Sequence, residues 1–128
     1  MATPTRETGL DIRAWHEGPC VVVGIVGELD MNAVPRLRAE LDGAMEGQRP
    51  PHLVLDLTGT TFCDSLGLGL LVGTLTRVRD AGGRLGLVVA DGMISRLLAI
   101  TNLDHHFETF PATQDAVEAI GSPGGRMR

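Results

Sequence analysis

The stretch "LTGTTFCDSLGLGLLVG" (Leu57 to Gly73) sets an acidic residue beside a hydroxyl, Asp64 and Ser65, with glycines at 67, 69 and 73. Four chemistries use such a pattern. A serine nucleophile elbow needs G-x-S-x-G, but the window here is "CDSLG", with Cys63 where the first glycine would let the strained turn form. Its base would have to be His16, His52, His105 or His106, which fall on predicted strands or strand edges; only His105 has a neighbouring carboxylate, Asp104. A phosphate cradle would use the glycines at a helix start, but their spacing is GxGxxxG, without an acidic ribose partner. An aspartyl-phosphate receiver needs an acidic pair after the first strand and a late lysine, and the chain has neither. Finally, Ser65 could simply cap a helix, its oxygen accepting an N–H from the next turn, worth about 1 kcal/mol.

Composition narrows the field. Hydrophobic residues make up 43% of the 128 and charged residues 21%, as expected of one globular domain with a real core. The net charge is −5 and the basic residues are scattered, so no footprint for a nucleic-acid backbone is present. All eleven basic residues are arginine, which removes Walker-type phosphate loops and Schiff-base chemistry. Cys20 and Cys63 form no CxxC pair, so neither a metal site nor a redox motif is expected, and a small buried thiol is the expectation for Cys63. The N-terminal residues lack a signal-peptide core and no apolar run approaches a membrane span. The expectation is a cytoplasmic protein with no membrane or nucleic-acid partner and no cofactor.

The elements that would hold the motif follow from periodicity. "GLDIRAWHEG" and "CVVVGIVGELD" read as a hairpin turning at "HEGP". Val34, Leu37, Leu41, Ala44 and Met45 share a helical stripe, with Asn32 as its cap and Pro35 in the first turn. "PPHLVLDL" is a covered strand. The helix launched by Asp64 and Ser65 carries Leu68, Leu71, Val72, Leu75 and Val78 on a core-facing side, and Leu66, Gly69, Leu70, Gly73 and Arg77 on the opposite one, part of which must pack against a neighbouring helix and part of which is left for a partner. "RLGLVVA" gives a buried strand, "DGMISRLLAITN" a short helix, "HHFETF" an edge strand and "PATQDAVEAIG" a closing helix. The order β-β-α-β-α-β-α-β-α predicts an α/β fold: one mixed, mostly parallel sheet with an N-terminal β-hairpin and four helices. The domain is expected over residues 9–121, with flexible tails at 1–8 and 122–128.

Three segments carry a family resemblance: "GELD" (Gly27 to Asp30), "LVLDLTGTTFCDSLGLGLLV" (Leu53 to Val72) and "AITNLDHHFETFPATQDAVEAI" (Ala99 to Ile120). Together they resemble a STAS domain of the anti-sigma-factor-antagonist type, with D-S-x-G-L-G as the most specific part. The resemblance implies a binding module without catalytic activity, in which Ser65 is the phosphorylation site. It implies as partners an anti-sigma factor serine/threonine kinase of the GHKL type, bound when Ser65 is unmodified so that a sigma factor is freed, and a serine phosphatase that removes the phosphate from phospho-Ser65 and so restores binding. The expected partner surface is Glu28, Asp30, Asp64, Ser65, Leu66, Gly67, Gly69 and Leu70. Within the family the position after the serine is usually a small hydroxyl residue, and here it is Leu66; Asn102 stands where serine or glycine is common. A STAS scaffold or ligand sensor that is never phosphorylated is the alternative binding role, and a small serine hydrolase the alternative from another class.

Overall fold

The computed structural model describes residues 10–122, so the expected tails lie outside the described residues except for Ser122. Strands β1 (Leu10–Glu17) and β2 (Cys20–Leu29) form the antiparallel hairpin, turning at Gly18 and Pro19. Gly18 takes a φ of +57°, the left-handed value that a tight two-residue hairpin turn needs at its first central position. Helix α1 (Val34–Met45) leads to β3 (His52–Asp56), which pairs in parallel with β2. A short strand β4 (Thr60–Cys63) follows, then α2 (Ser65–Asp80), β5 (Arg84–Val88), α3 (Met93–Ile100), β6 (Glu108–Phe110) and α4 (Thr113–Ile120).

The strand order is β1-β2-β3-β5-β6, with β4 attached to β2. Every pairing except the hairpin is parallel, so the expected mixed α/β sheet with four helices is what the chain forms. One face carries the larger core, in which Val23, Ile25, Leu55 and Leu87 meet Leu37 and Leu41 of α1, Leu71 and Leu75 of α2, and Ile94 and Leu98 of α3. The other face is covered by α4, whose Ala116 and Ile120 pack on Cys20, Val22, Val54 and Val88. Each fully buried leucine or isoleucine contributes roughly 1.5 to 3 kcal/mol against its exposed state.

Three expectations are corrected. Strand β4 was not foreseen: "TGTTFC" has no run of apolar or β-branched residues long enough to announce itself, and it exists because β2 outruns β3. Residues 21–24 of β2 pair with β3, and 27–29, beyond an irregularity at Gly27 and Glu28, pair with β4. His105 and His106 are not on the edge strand; Leu103–His105 form a single 3-10 turn and His106 follows it. Asn32 does not cap α1. The helix has no side-chain cap; the Asp30 carboxylate instead holds the turn before it, its Oδ1 accepting the N–H of Asn32 at 3.0 Å and of Ala33 at 3.2 Å.

Candidate functional site

The fork in the sheet places the motif. Gly27 N–H donates to Gly59 O at 3.0 Å and the Thr60 hydroxyl to Ile25 O at 2.8 Å, tying the start of β4 to β2. At its other end Asp64 N–H donates to Leu29 O at 3.2 Å, so the last residue of β2 is bonded to the residue that opens α2. The "GELD" and "CDSLG" segments, distant in sequence, are thereby set side by side.

Asp64, not Ser65, is the cap of α2. Its backbone is extended and its Oδ1 accepts the Gly67 N–H at 2.9 Å. Its second oxygen, Oδ2, accepts the Met31 N–H at 2.9 Å, so one carboxylate closes the helix end and pins the loop after β2. Ser65 is the first helical residue; it is exposed, and its hydroxyl makes no hydrogen bond among the described residues. The capping reading of Ser65 is thus replaced: a neighbour does the capping and leaves the hydroxyl free. No histidine among the described residues hydrogen-bonds it either; His52 instead uses its Nδ1 on Ile120 O, and burial together with Arg84 lowers its pKa.

The expected surface residues separate into exposed and buried. Glu28 is exposed on β2 opposite Phe62 of β4, and Asp30 is half-buried, engaged in its turn. Leu66 is 55% exposed and Gly69 opens onto empty space. Leu70, placed on the partner surface in the sequence reading, is 3% exposed and belongs to the core. The helix packs on the sheet and also against α1 beside it, so its buried arc extends through Leu70 and Thr74 and is wider than one stripe. Gly67 is buried as well: a Cβ there would stand 2.4 Å from Leu29 O, so this glycine serves the close approach of α2 to β2. Beside the motif, the exposed apolar residues Met31, at 61%, and Phe62, at 42%, escaped the sequence reading. The signal for Met31 was its place directly after the acidic turn of "GELD"; Phe62 had none without β4.

Cys63, just before the motif, is buried and its pKa is pushed up to about 11 by that burial and by the Asp64 carboxylate. A thiol so held is unreactive at neutral pH. Among the described residues no group of three or more histidine, cysteine, aspartate or glutamate side chains is arranged to hold a metal ion, and no helix is long and apolar enough to cross a membrane.

With this geometry in place, comparison with known proteins assigns the family. The family model described as the STAS domain matches residues 11–116, and the chain belongs to the STAS domain family. An anti-sigma F factor antagonist from Paenibacillus polymyxa is 29% identical over 111 residues, covering 87% of this chain and 92% of that one. The anti-sigma-F factor antagonist RsfB of Mycobacterium tuberculosis is 30% identical over 112 residues, covering 88% of both. The crystal structure of an anti-sigma factor antagonist from Mycobacterium paratuberculosis aligns with a TM-score of 0.78 at 30% identity, over 88% of this chain and 95% of that one.

Proposed function

We propose that this protein is an anti-sigma factor antagonist whose binding is switched by phosphorylation of Ser65. Unmodified, it binds an anti-sigma factor serine/threonine kinase of the GHKL type in the cytoplasm and so releases a sigma factor; phosphorylated, it lets go, and a serine phosphatase resets it. The observation that carries this reading is the free, exposed Ser65 hydroxyl on the first turn of α2, beside an aspartate whose two oxygens are already engaged with backbone N–H groups. The names of the relatives support the antagonist role.

The physical effect of the modification falls on binding. A phosphoserine carries about −1.5 to −2 charges. At the N-terminus of α2 the helix dipole favours it by roughly 0.3 to 1 kcal/mol. Asp64 opposes it by about 3 kcal/mol per unit charge at about 6 Å and an effective dielectric near 20, before screening. Before screening the repulsion is the larger of the two, and at this exposed position water and salt reduce it. A partner surface shaped for a neutral hydroxyl would instead have to desolvate a dianion, at about 2 to 5 kcal/mol, or roughly 30- to several-thousand-fold in affinity.

Leu66 and Met31 would supply apolar contact area around the hydroxyl, with Glu28 and Gly69 at its margin; Asp64 and Gly67 hold the geometry from below, and Leu70 contributes from the core. The test is intact-mass spectrometry before and after incubation with ATP and candidate anti-sigma kinases from the same genome, with fragmentation to locate the phosphate. One phosphate on Ser65, absent from Ser65→Ala, is the expected result. Stable complexes with a candidate but no phosphate from any would overturn the switch and leave a scaffold role.

A further inference from the structure

Strand β1 is the outer edge of the sheet, eight residues long. The two-residue turn at Gly18 and Pro19 makes Glu17 and Cys20 a hydrogen-bonded pair. Alternation along an antiparallel ladder then directs the N–H and C=O groups of Trp15, Arg13 and Asp11 toward β2, and those of His16, Ala14, Ile12 and Leu10 outward. The Arg36 guanidinium reaches Leu10 O at 2.6 Å, as an outward carbonyl allows. No other backbone or side-chain group among the described residues bonds to this edge. A long open edge of this kind is a template for another strand.

We propose that the edge pairs with β1 of a second copy of this chain, antiparallel, about a two-fold axis through Ile12. The charge pattern selects both the occupant and the register. With Ile12 opposite Ile12, an outward residue meets an outward residue, as the ladder demands, and Asp11 of each copy faces Arg13 of the other. Opposite charges directly across a ladder attract, and here they occur twice by symmetry. Sliding the pair by one permitted step, to an axis through Arg13 or through Asp11, sets Arg13 against Arg13 or Asp11 against Asp11, and a further step to an axis through Ala14 sets Asp11 against Glu17 twice; all three are disfavoured by the same rule. Arg13 is free to turn, since its side chain is 77% exposed and its distance to Asp11 within the strand is 3.8 Å. The contact is one strand wide, so association is weak and concentration-dependent.

Sedimentation velocity on the full chain from roughly 10 µM to 1 mM, the range suited to a small interface, tests this without any partner protein. The wild type should pass reversibly from monomer to dimer. Arg13→Asp and Asp11→Arg, each checked for folding by circular dichroism, should weaken association about 10-fold or more, and the double exchange Asp11→Arg with Arg13→Asp should restore it. Ile12→Pro, which removes an outward N–H and no bond to β2, should abolish it. A wild type that stays monomeric throughout, or single reversals that associate as well as the wild type, would overturn the proposal; a double exchange that fails to recover would overturn the register.

Discussion

Asp64 and Met31, 33 positions apart, are joined by a 2.9 Å hydrogen bond from the Met31 N–H to the aspartate Oδ2. Because Oδ1 of the same carboxylate caps α2, one side chain fixes the helix end and the loop after β2 relative to each other. Asp64→Ala should therefore cost about 1 to 2 kcal/mol, at or above an ordinary cap. Ser65→Ala, next door, should change stability by less than about 0.5 kcal/mol because it is exposed and caps nothing. Urea denaturation of both variants checks the contrast, and equal losses would return the cap to Ser65.

The glycines of α2 should respond in opposite directions. Gly67→Ala places a Cβ 2.4 Å from Leu29 O and 2.8 Å from Leu29 Cγ, a collision with backbone that we expect to destabilise by about 2 to 3 kcal/mol. Gly69→Ala and Gly73→Ala meet nothing within 4 Å and should gain roughly 0.5 to 1 kcal/mol from helix propensity. Thermal melts of the three variants are sufficient to rank them.

Binding to the cognate anti-sigma kinase should separate charge from shape. Ser65→Asp, which carries a negative charge, should weaken it by about 30-fold or more, whereas Ser65→Ala should bind close to the wild type. Isothermal titration gives both numbers; a Ser65→Asp protein that binds as tightly as wild type would remove the electrostatic account.

Leu66→Ser restores the hydroxyl usual at that position in the family. With the side chain 55% exposed, folding should hardly change, but a partner fitted to leucine should lose about 1 to 2 kcal/mol, or roughly 5- to 30-fold. Unaltered affinity would place Leu66 outside the contact.

Alkaline pH isolates the thiols, because the chain has neither lysine nor tyrosine. Burial holds the folded Cys63 at about 11 against an ordinary value of 9, and Cys20 is raised too. An unfolded thiol ionises first, so the stabilisation is intact below pH 9 and is lost as pH rises toward 11. For Cys63 it amounts to about 2 to 3 kcal/mol. Urea midpoints at pH 7, 9 and 10.5 should fall in that window, with a shallower fall in Cys63→Ser.

The sheet, its hairpin and the four helices were legible because β-branched runs and helical stripes carry their own periods. Ser65 stood out through "CDSLG" and its setting, and the structure leaves it exposed on the first turn of α2. What could not be read depended on tertiary pairing. Strand β4 is specified by its partner β2 and not by its own four residues, and although part of the second stripe of α2 was expected to pack against a neighbouring helix, its spacing did not say that Leu70 would be in the packed part and not on the partner surface. Asp64 took the capping role expected of Ser65, and Asp30 holds the turn before α1 where Asn32 was expected to cap, since an aspartate can reach N–H groups two or three residues ahead. No stripe or composition encodes that competition.

The forked pairing of β2 bears on how this chain can change in length. From Gly59 to Asp64 the path to Ser65 is counted out in bonds to β2, at Gly27, Ile25 and Leu29. One residue added or removed there would shift every later bond by a step and turn Cys63 from the core to the outside. The segment between the fork and the serine is therefore a measured spacer. Insertions and deletions tolerated elsewhere on the surface are barred from it.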